Sequence, residues 1–372
     1  MDAIDLLKEM VRVNTVDSRN GDRIIKLVLG YLAKEGGAFT HERVSIDGVK
    51  NLIVYTGKKG PAFVLNGHYD VVPATRDGWA TNPFEPVERG GFIYGRGTTD
   101  MKSGLAAQVS AFARYSRNPR GRAILMVVGD EEKGGFRGTG PLVERLANKE
   151  KIARLLIAEP TSQNVLGDIS KKGCRGVLWL NVAIKGVPGH ASRPLQAKNP
   201  IEAAAGLITY LRTAKFPEKS NMVPTTAITT YAHSDSGATN VIPELAELNI
   251  DVRYNHGTKP ANVVKMIERF IAKTGCRATV KILEDSPYFI NKDKGFERIV
   301  AKVVKRHTGR RIKFTTVGGS SDARFFSYKG IPVLEFGTRM EGMHGNNERV
   351  SIDDVRTLER IIYDVMTSER AR

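Results

Sequence analysis

Cysteine is nearly missing from this chain. Its two copies, Cys174 and Cys276, lie far apart and form no C-x-x-C spacing, so a disulfide framework is not expected. No run approaches the roughly 18–20 apolar residues that a membrane span requires. The first residues, Met1-Asp-Ala-Ile-Asp-Leu-Leu-Lys-Glu, open an amphipathic helix instead of a basic and then apolar leader. No signal peptide is expected, and the cytoplasm is the expected compartment. Internal repeats and low-complexity segments are missing too. Acid is in short supply: 40 Asp and Glu stand against 57 Lys and Arg, a net charge of +17. Such an excess raises the question of nucleic acid. The bases are spread along the whole chain, however, and no basic block carries interleaved aromatics, so a nucleic-acid role is not expected. An acidic substrate, an acidic protein partner or mere lineage bias accounts for the charge at least as well.

What is present is an ordinary globular composition, 41% hydrophobic and 26% charged, over 372 residues, enough for two domains with proper cores. Helical periodicity marks residues 4–11 and 24–32, and Gly36-Gly37 ends the second helix. Strands are predicted at 40–44, 51–56 and 63–68, then at 123–128, 153–158 and 332–336. Between and after them come helices at 101–115, 141–148, 296–308 and 352–366. This alternation predicts an α/β fold with a doubly wound mixed sheet, in which ligands bind at the carboxyl ends of the strands. The texture changes at residues 176–285, where the order β-α-β-β-α-β and half-exposed strands predict an α+β, ferredoxin-like insert. The catalytic domain is therefore expected to be discontinuous, 1–175 with 286–372.

The strands of the first texture end in polar residues of one chemistry. His68 and Asp70 follow β-spacing, which places both side chains on one face. Asp100 precedes a helix, where it is an N-cap at minimum or a charge turned toward His68. Glu131 and Glu132 follow another strand, Glu159 a third, and His344 lies in the loop after a fourth. Two histidines and three carboxylates (His68, Asp100, Glu132, Glu159, His344) form a nitrogen and oxygen set that Zn²⁺ accepts. Adjacent glutamates cannot easily serve one ion from a strand end, so one is expected as ligand and one as base. His190, His233 and His256 have no such supporting context.

The motifs themselves resemble a known family. Gly-His-Tyr-Asp-Val-Val-Pro at 67–73, Gly-Arg-Gly-Thr-Thr-Asp-Met-Lys-Ser-Gly at 95–104 and Asp-Glu-Glu at 130–132 resemble the M20 family of zinc peptidases and deacylases. So do Glu-Pro-Thr at 159–161, Gly-Val-Pro-Gly-His-Ala at 186–191 and Gly-Gly-Ser-Ser-Asp-Ala-Arg-Phe at 318–325, in order along the chain. The last of these, with Asn-Val-Ile-Pro at 240–243, is similar to the branch of succinyl-diaminopimelate desuccinylases and acetylornithine deacetylases. The branch usually carries Thr where Tyr69 and Ser320 stand. The resemblance implies two Zn²⁺ ions per chain, with Co²⁺ able to substitute. His68 and Glu159 would hold one ion, Glu132 and His344 the other, and Asp100 would bridge them. It further implies that Asp70 orients His68, that Glu131 is the general acid/base, and that the peptide between Asp100 and Met101 is cis. The insert would be a dimerisation or lid domain, making a homodimer in which His190 reaches the partner's site to stabilise an oxyanion. Arg253 and Arg324 are candidates to clamp a substrate carboxylate, each with a structural salt bridge as the alternative, and Asn240 and Ser320 are further substrate-binding candidates. The expected activity is hydrolysis of an N-acyl amino acid, N-succinyl-diaminopimelate first. N-acetylornithine, lysine or ornithine linked to an acidic carrier protein, and a carboxypeptidase substrate are the alternatives.

Overall fold

The structure is a computed structural model that describes residues 1–218 and 222–368. Helices α1 (Ala3–Val11) and α2 (Gly21–Glu35) precede strands β1 (Thr40–Ile46), β2 (Val49–Thr56) and β3 (Ala62–His68). Helix α3 (Lys102–Ser116) leads to β4 (Arg122–Val128), and α4 (Thr139–Ala147) leads to β5 (Ile152–Ile157) and the short β6 (Ile169–Lys171). There follow β7 (Gly176–Lys185), α5 (Pro200–Thr213), β8 (Thr226–His233), β9 (Leu245–Tyr254), α6 (Pro260–Lys273) and β10 (Arg277–Ser286). The chain then runs through α7 (Lys294–Thr308), β11 (Lys313–Thr315), α8 (Ala323–Tyr328), β12 (Val333–Glu335) and α9 (Ile352–Ser368). These elements form two compact units. One is Met1–Lys172 with Ile290–Thr315 and Ser321–Arg372, and the other is Gly173–Phe289 with Thr316–Ser320.

The first unit is built on an eight-stranded sheet of order β1-β2-β4-β3-β5-β12-β6-β11. The central strands β4, β3, β5 and β12 are mutually parallel, while β1 and β2 run antiparallel at one side. Strand β3 is buried at every position and β4 at all but its first, the pattern of strands covered on both faces. Their near-continuous apolar runs are the sequence correlate of that burial. Helix α3 is buried almost all round, because β3 lies on one side and α1, α2 and α9 lie on the others. Gly104 lets α3 approach β5 this closely: a Cβ there would stand 2.1 Å from the Ala158 carbonyl oxygen. Of the buried polar side chains on α3, Gln108 donates through Nε2 to the carbonyls of Asn66 (3.0 Å) and Leu156 (3.2 Å), and Ser110 donates to Glu359 (3.0 Å). Four parallel strands thus end together on one edge, and that edge carries the polar residues.

The second unit has the predicted β-α-β-β-α-β order, folded as an antiparallel sheet β8-β9-β7-β10. Strict alternation in β7 turns Leu178, Leu180, Val182 and Ile184 to one face, where they pack with Leu207 of α5 and Ile267 of α6. Among the described residues, no helix is long and apolar enough to cross a membrane.

Candidate metal centre

His68 is the last residue of β3, fully buried, and its two ring nitrogens face opposite partners. Nδ1 lies 3.0 Å from the Asp70 carbonyl oxygen and 3.5 Å from its carboxylate. A proton on Nδ1 donated to that carbonyl leaves Nε2 with a lone pair. Nε2 points at Asp100 Oδ1 (3.2 Å) and Glu159 Oε1 (3.5 Å). The carboxylate of Asp70 has a further task. Its two oxygens accept the backbone N–H groups of Glu131 and Glu132, each at 3.2 Å, so the residue beside His68 also fastens the turn that presents both glutamates. That turn begins at Asp130, whose φ of 74° lies in the left-handed region and whose carboxylate holds Arg137.

Asp100 does not cap α3. The helix begins at Lys102 with Met101 at the cap position and no side-chain cap bond. Instead the Asp100 carboxylate divides between two imidazoles, Oδ1 toward His68 and Oδ2 toward His344 Nε2 at 3.2 Å. Opposite charge outweighs a capping bond here, because both histidines converge on this buried group. The Asp100–Met101 peptide is cis. Glu132 Oε1 lies 3.4 Å from His344 Nε2. Two clusters result, His68–Asp100–Glu159 and Asp100–Glu132–His344, with the ligand atoms of each within 4.8 Å of one another and Asp100 common to both.

The electrostatics of the centre call for a cation. Burial alone would lower the His68 pKa, but Asp100, Asp70, Glu159 and Glu131 hold it well above its ordinary range. Hydrogen bonds to Asp100 and Glu132 raise His344 to about 10. Burial pushes Glu131 and Glu159 well above the usual carboxylate range, with neighbouring acids adding to it. Asp100, against its own burial, is held below that range by His344 and His68. Four carboxylates thus meet two imidazoles, and among the described residues the His344 ring nitrogen, at 3.4 Å, is the nearest donor that the buried Glu132 Oε1 has. Positive charge bound by nitrogen and oxygen is what this set lacks. A pair of divalent metal ions sharing Asp100 fits it.

Residues 64–368 match the profile of "Peptidase family M20/M25/M40". The chain belongs to this family. It is 35% identical over 323 residues to a succinyl-diaminopimelate desuccinylase of Zymomonas mobilis, covering 86% of this chain and 85% of that one. A Cereibacter sphaeroides protein of the same name is 34% identical over 382 residues, covering 99% and 100%. Among solved structures, an M20 family metallo-carboxypeptidase from Sulfolobus solfataricus superposes with a TM-score of 0.77 at 17% identity, covering 98% of this chain and 99% of that one. A dinuclear metal binding peptidase of the M20 family from Bacillus subtilis gives 0.71 at 16%, covering 98% of each. At those identities the likeness concerns the fold. Family membership makes the chain a hydrolase of amide bonds.

In this M20 chain the remaining predicted site residues fall in several places. Arg324 is buried, its guanidinium donating to the carbonyls of Ser321 and Gly134 and lying 4.4 Å from the Phe325 ring centre. In the second unit, Arg253 forms a two-point ion pair with Asp251, at 2.8 and 2.9 Å, the salt-bridge alternative raised for it. Asn240 supplies its carbonyl to Ala191 N (2.9 Å), next to His190. His190 itself is exposed, and its Nδ1 accepts from Ser192 N (3.1 Å). Ser320 lies in the 316–320 segment that groups with the second unit, half-buried. Tyr69, where the branch usually has Thr, is fully buried and donates its hydroxyl to the carbonyls of Ser18 and Lys50, both at 2.7 Å. Gly21 and Gly129 leave room for it, since a Cβ at either would stand 2.1 or 2.5 Å from that hydroxyl oxygen.

Sequence reasoning missed Glu348. Its buried carboxylate accepts from Arg96 (2.6 Å) and from the backbone N–H groups of Gly97 (3.1 Å), Thr99 (2.7 Å) and Asp100 (3.1 Å). Thr99 Oγ1 adds a bond to the Arg349 carbonyl (2.7 Å), so the segment bearing Asp100 is stitched to the one bearing His344. The available signal was a glutamate four residues after His344 in the same polar loop. Lys102 was missed as well. It is fully buried, donates to the Val13 carbonyl at 2.9 Å, and burial lowers its amine to about 7.

Proposed function

We propose that this M20 chain is a dinuclear zinc-dependent amidohydrolase that removes the acyl group from an N-acyl amino acid, with N-succinyl-diaminopimelate as the first substrate. The observation that carries the reading is the division of one carboxylate, Asp100, between two histidine–glutamate pairs beside a third, differently placed glutamate. His68 and Glu159 would hold one metal ion, Glu132 and His344 the other, and Asp100 both. Zn²⁺ there supplies Lewis acidity toward water and the amide carbonyl, and Co²⁺ is expected to substitute. Glu131 is adjacent in sequence to a ligand yet belongs to neither cluster, and its raised pKa suits a group that takes a proton and returns it. A carboxylate oxygen of Glu131 accepts a proton from the attacking water as the new C–O bond forms. The same oxygen then delivers that proton to the amine nitrogen as the C–N bond breaks, leaving a free carboxylate and a free amine. Asp70 keeps the proton on His68 Nδ1 and the Glu131 turn in place throughout.

The second unit is proposed as the dimerisation or lid domain of a homodimer, with His190 stabilising the oxyanion in its partner's site. Arg253, Arg324, Asn240 and Ser320 are the proposed substrate contacts. A bound carboxylate would have to compete with Asp251 for Arg253. The cytoplasm is the proposed compartment. A lysine or ornithine carried by an acidic protein is the second reading, favoured by the net charge of +17.

The test is hydrolysis of N-succinyl-diaminopimelate, N-acetylornithine, a carrier-linked lysine and a C-terminal dipeptide, each with added zinc, with chelator, and with the Glu131→Gln variant. Metal-dependent turnover lost in the variant is the expected result, greatest on the succinyl compound. Two bound ions with no turnover on any compound would reject the substrate class. Failure to bind metal would reject the centre itself.

A further inference from the structure

The opposite ends of the central strands also converge on something. Where β3, β4 and β5 begin, they border a cavity of about 610 Å³ closed on another side by α7. Phe63 near the start of β3 and Tyr115 of α3 give it an apolar wall, while Arg122 of β4, Arg154 of β5, and Arg298 and Lys302 of α7 line the rest. Among the described residues, Asp293 is the one acid in the lining. Three strands therefore carry a residue of this cavity at one end and lead into the metal centre at the other: Phe63 and His68, Arg122 and Glu131, Arg154 and Glu159. The length of β3 from Phe63 to His68 separates the two sites by about 17 Å, at roughly 3.3 Å per residue.

Two of the cations are preset. Arg154 Nε donates to Asp293 Oδ2 (2.7 Å) with its guanidinium 5.5 Å from the Phe296 ring centre. Arg122 donates to Glu150 (2.5 Å) and lies 4.9 Å from the Tyr55 ring centre. The Nε–H of Arg122 is nevertheless buried without an acceptor among the described residues. The other two cations, Arg298 and Lys302, are exposed and have no acidic partner among the described residues. They stand four residues apart on one helix, where like charges face each other and repel. Two observations thus ask for the same thing: a repelling pair, and a concave wall that carries, among the described residues, one acid against four bases.

We propose that this cavity binds a compact polyanion, a molecule with two or three phosphate or carboxylate groups close together. Arg298 and Lys302 take its charge, Arg122 and Arg154 orient it, and any carbon skeleton lies against Phe63. The site is separate from the metal centre and does not depend on which amide that centre hydrolyses.

The experiment is calorimetric titration of the metal-loaded full chain with inorganic phosphate and, separately, with tricarballylate, at ionic strength fixed by sodium chloride. The two arms distinguish a phosphate from a polycarboxylate ligand. One saturable site per chain is expected for at least one probe. Its affinity should fall at least tenfold in the double variant Arg298→Glu with Lys302→Glu, and hold in a charge-matched control, Arg23→Glu with Lys26→Glu on α2. Where charge reversal lowers the yield of folded chain, the corresponding pair of alanine changes serves. No saturable binding of either probe, or equal affinity in all variants, would overturn the proposal. Binding lost on chelation of the metal would overturn it too, by placing the anion at the metal centre.

Discussion

Replacing Glu348 by glutamine changes almost no volume and removes one charge from the point where two distant segments are joined. In the native chain, Oε1 accepts from Thr99 N and Asp100 N, and Oε2 from Arg96 and Gly97 N. Glutamine offers only one acceptor oxygen. If that oxygen keeps the Thr99 and Asp100 bonds, its NH₂ group faces two donors, and the buried Arg96, 3% exposed, is left without its carboxylate. Breaking a buried ion pair from one side costs about 3–5 kcal/mol. That is a large share of the roughly 5–15 kcal/mol that holds a domain folded. The assay is urea unfolding of the metal-free chain in a Trp179→Phe background. Trp79, beside Arg96 at 5.2 Å, then reports the first unit as the one tryptophan of the two that remains. A second change, Arg96→Met, should recover part of the loss, because it removes the stranded charge. Since the same carboxylate positions Asp100, metal affinity should fall about 10- to 100-fold in Glu348→Gln. A stability loss under about 1 kcal/mol together with unchanged metal affinity would refute the reasoning.

Three further outcomes are expected. Glu131→Gln should lower kcat by about 10²–10⁴ while the two-ion metal content, measured by atomic emission, stays at the wild-type value; parallel loss of metal would make Glu131 a ligand instead of a base. Gly104→Ala forces a methyl group to within 2.1 Å of the Ala158 carbonyl oxygen, so it should cost about 1–3 kcal/mol in denaturation and shift Glu159, the next residue, enough to weaken metal binding. Glu42 is partly buried, which raises its pKa, but Arg145, Tyr55 and Lys149 hold it below the usual range. A lowered carboxylate stabilises the fold above its unfolded pKa of about 4.3 and loses that effect as pH falls through the lower, folded value. The difference between wild type and Glu42→Gln should therefore be at most about 1 kcal/mol at neutral pH and shrink below about pH 4; a difference constant from pH 7 to pH 3 would contradict this.

The polar residues at the strand ends and the β-α-β-β-α-β insert were legible because both are local patterns. An apolar run such as 123–128 is a buried strand from its own composition, and His68, Glu131 and Glu159 each follow such a run directly. The short strands β6 and β11 went unread, since three residues carry no period and form only where β12 and one another supply partners. Asp100 illustrates the limit within the centre itself. Its position before a helix suits a cap, and only the arrival of His68 and His344 from elsewhere in the chain turns the carboxylate toward them.

The amino-acid sequence by itself determined which residues end the central strands, what chemistry they carry, and where one folding texture gives way to another. Tertiary structure alone decided that Glu348 locks the Asp100 segment, that Asp70 fastens the Glu131 turn as well as His68, and that four basic side chains meet at the far end of the sheet. The physical reason is range. Burial and periodicity are properties of neighbours along the chain, whereas the Glu348 bonds to Thr99 and Asp100 join residues 249 and 248 positions apart. No local pattern distinguishes the carboxylate that will make such a bond from one that will face water.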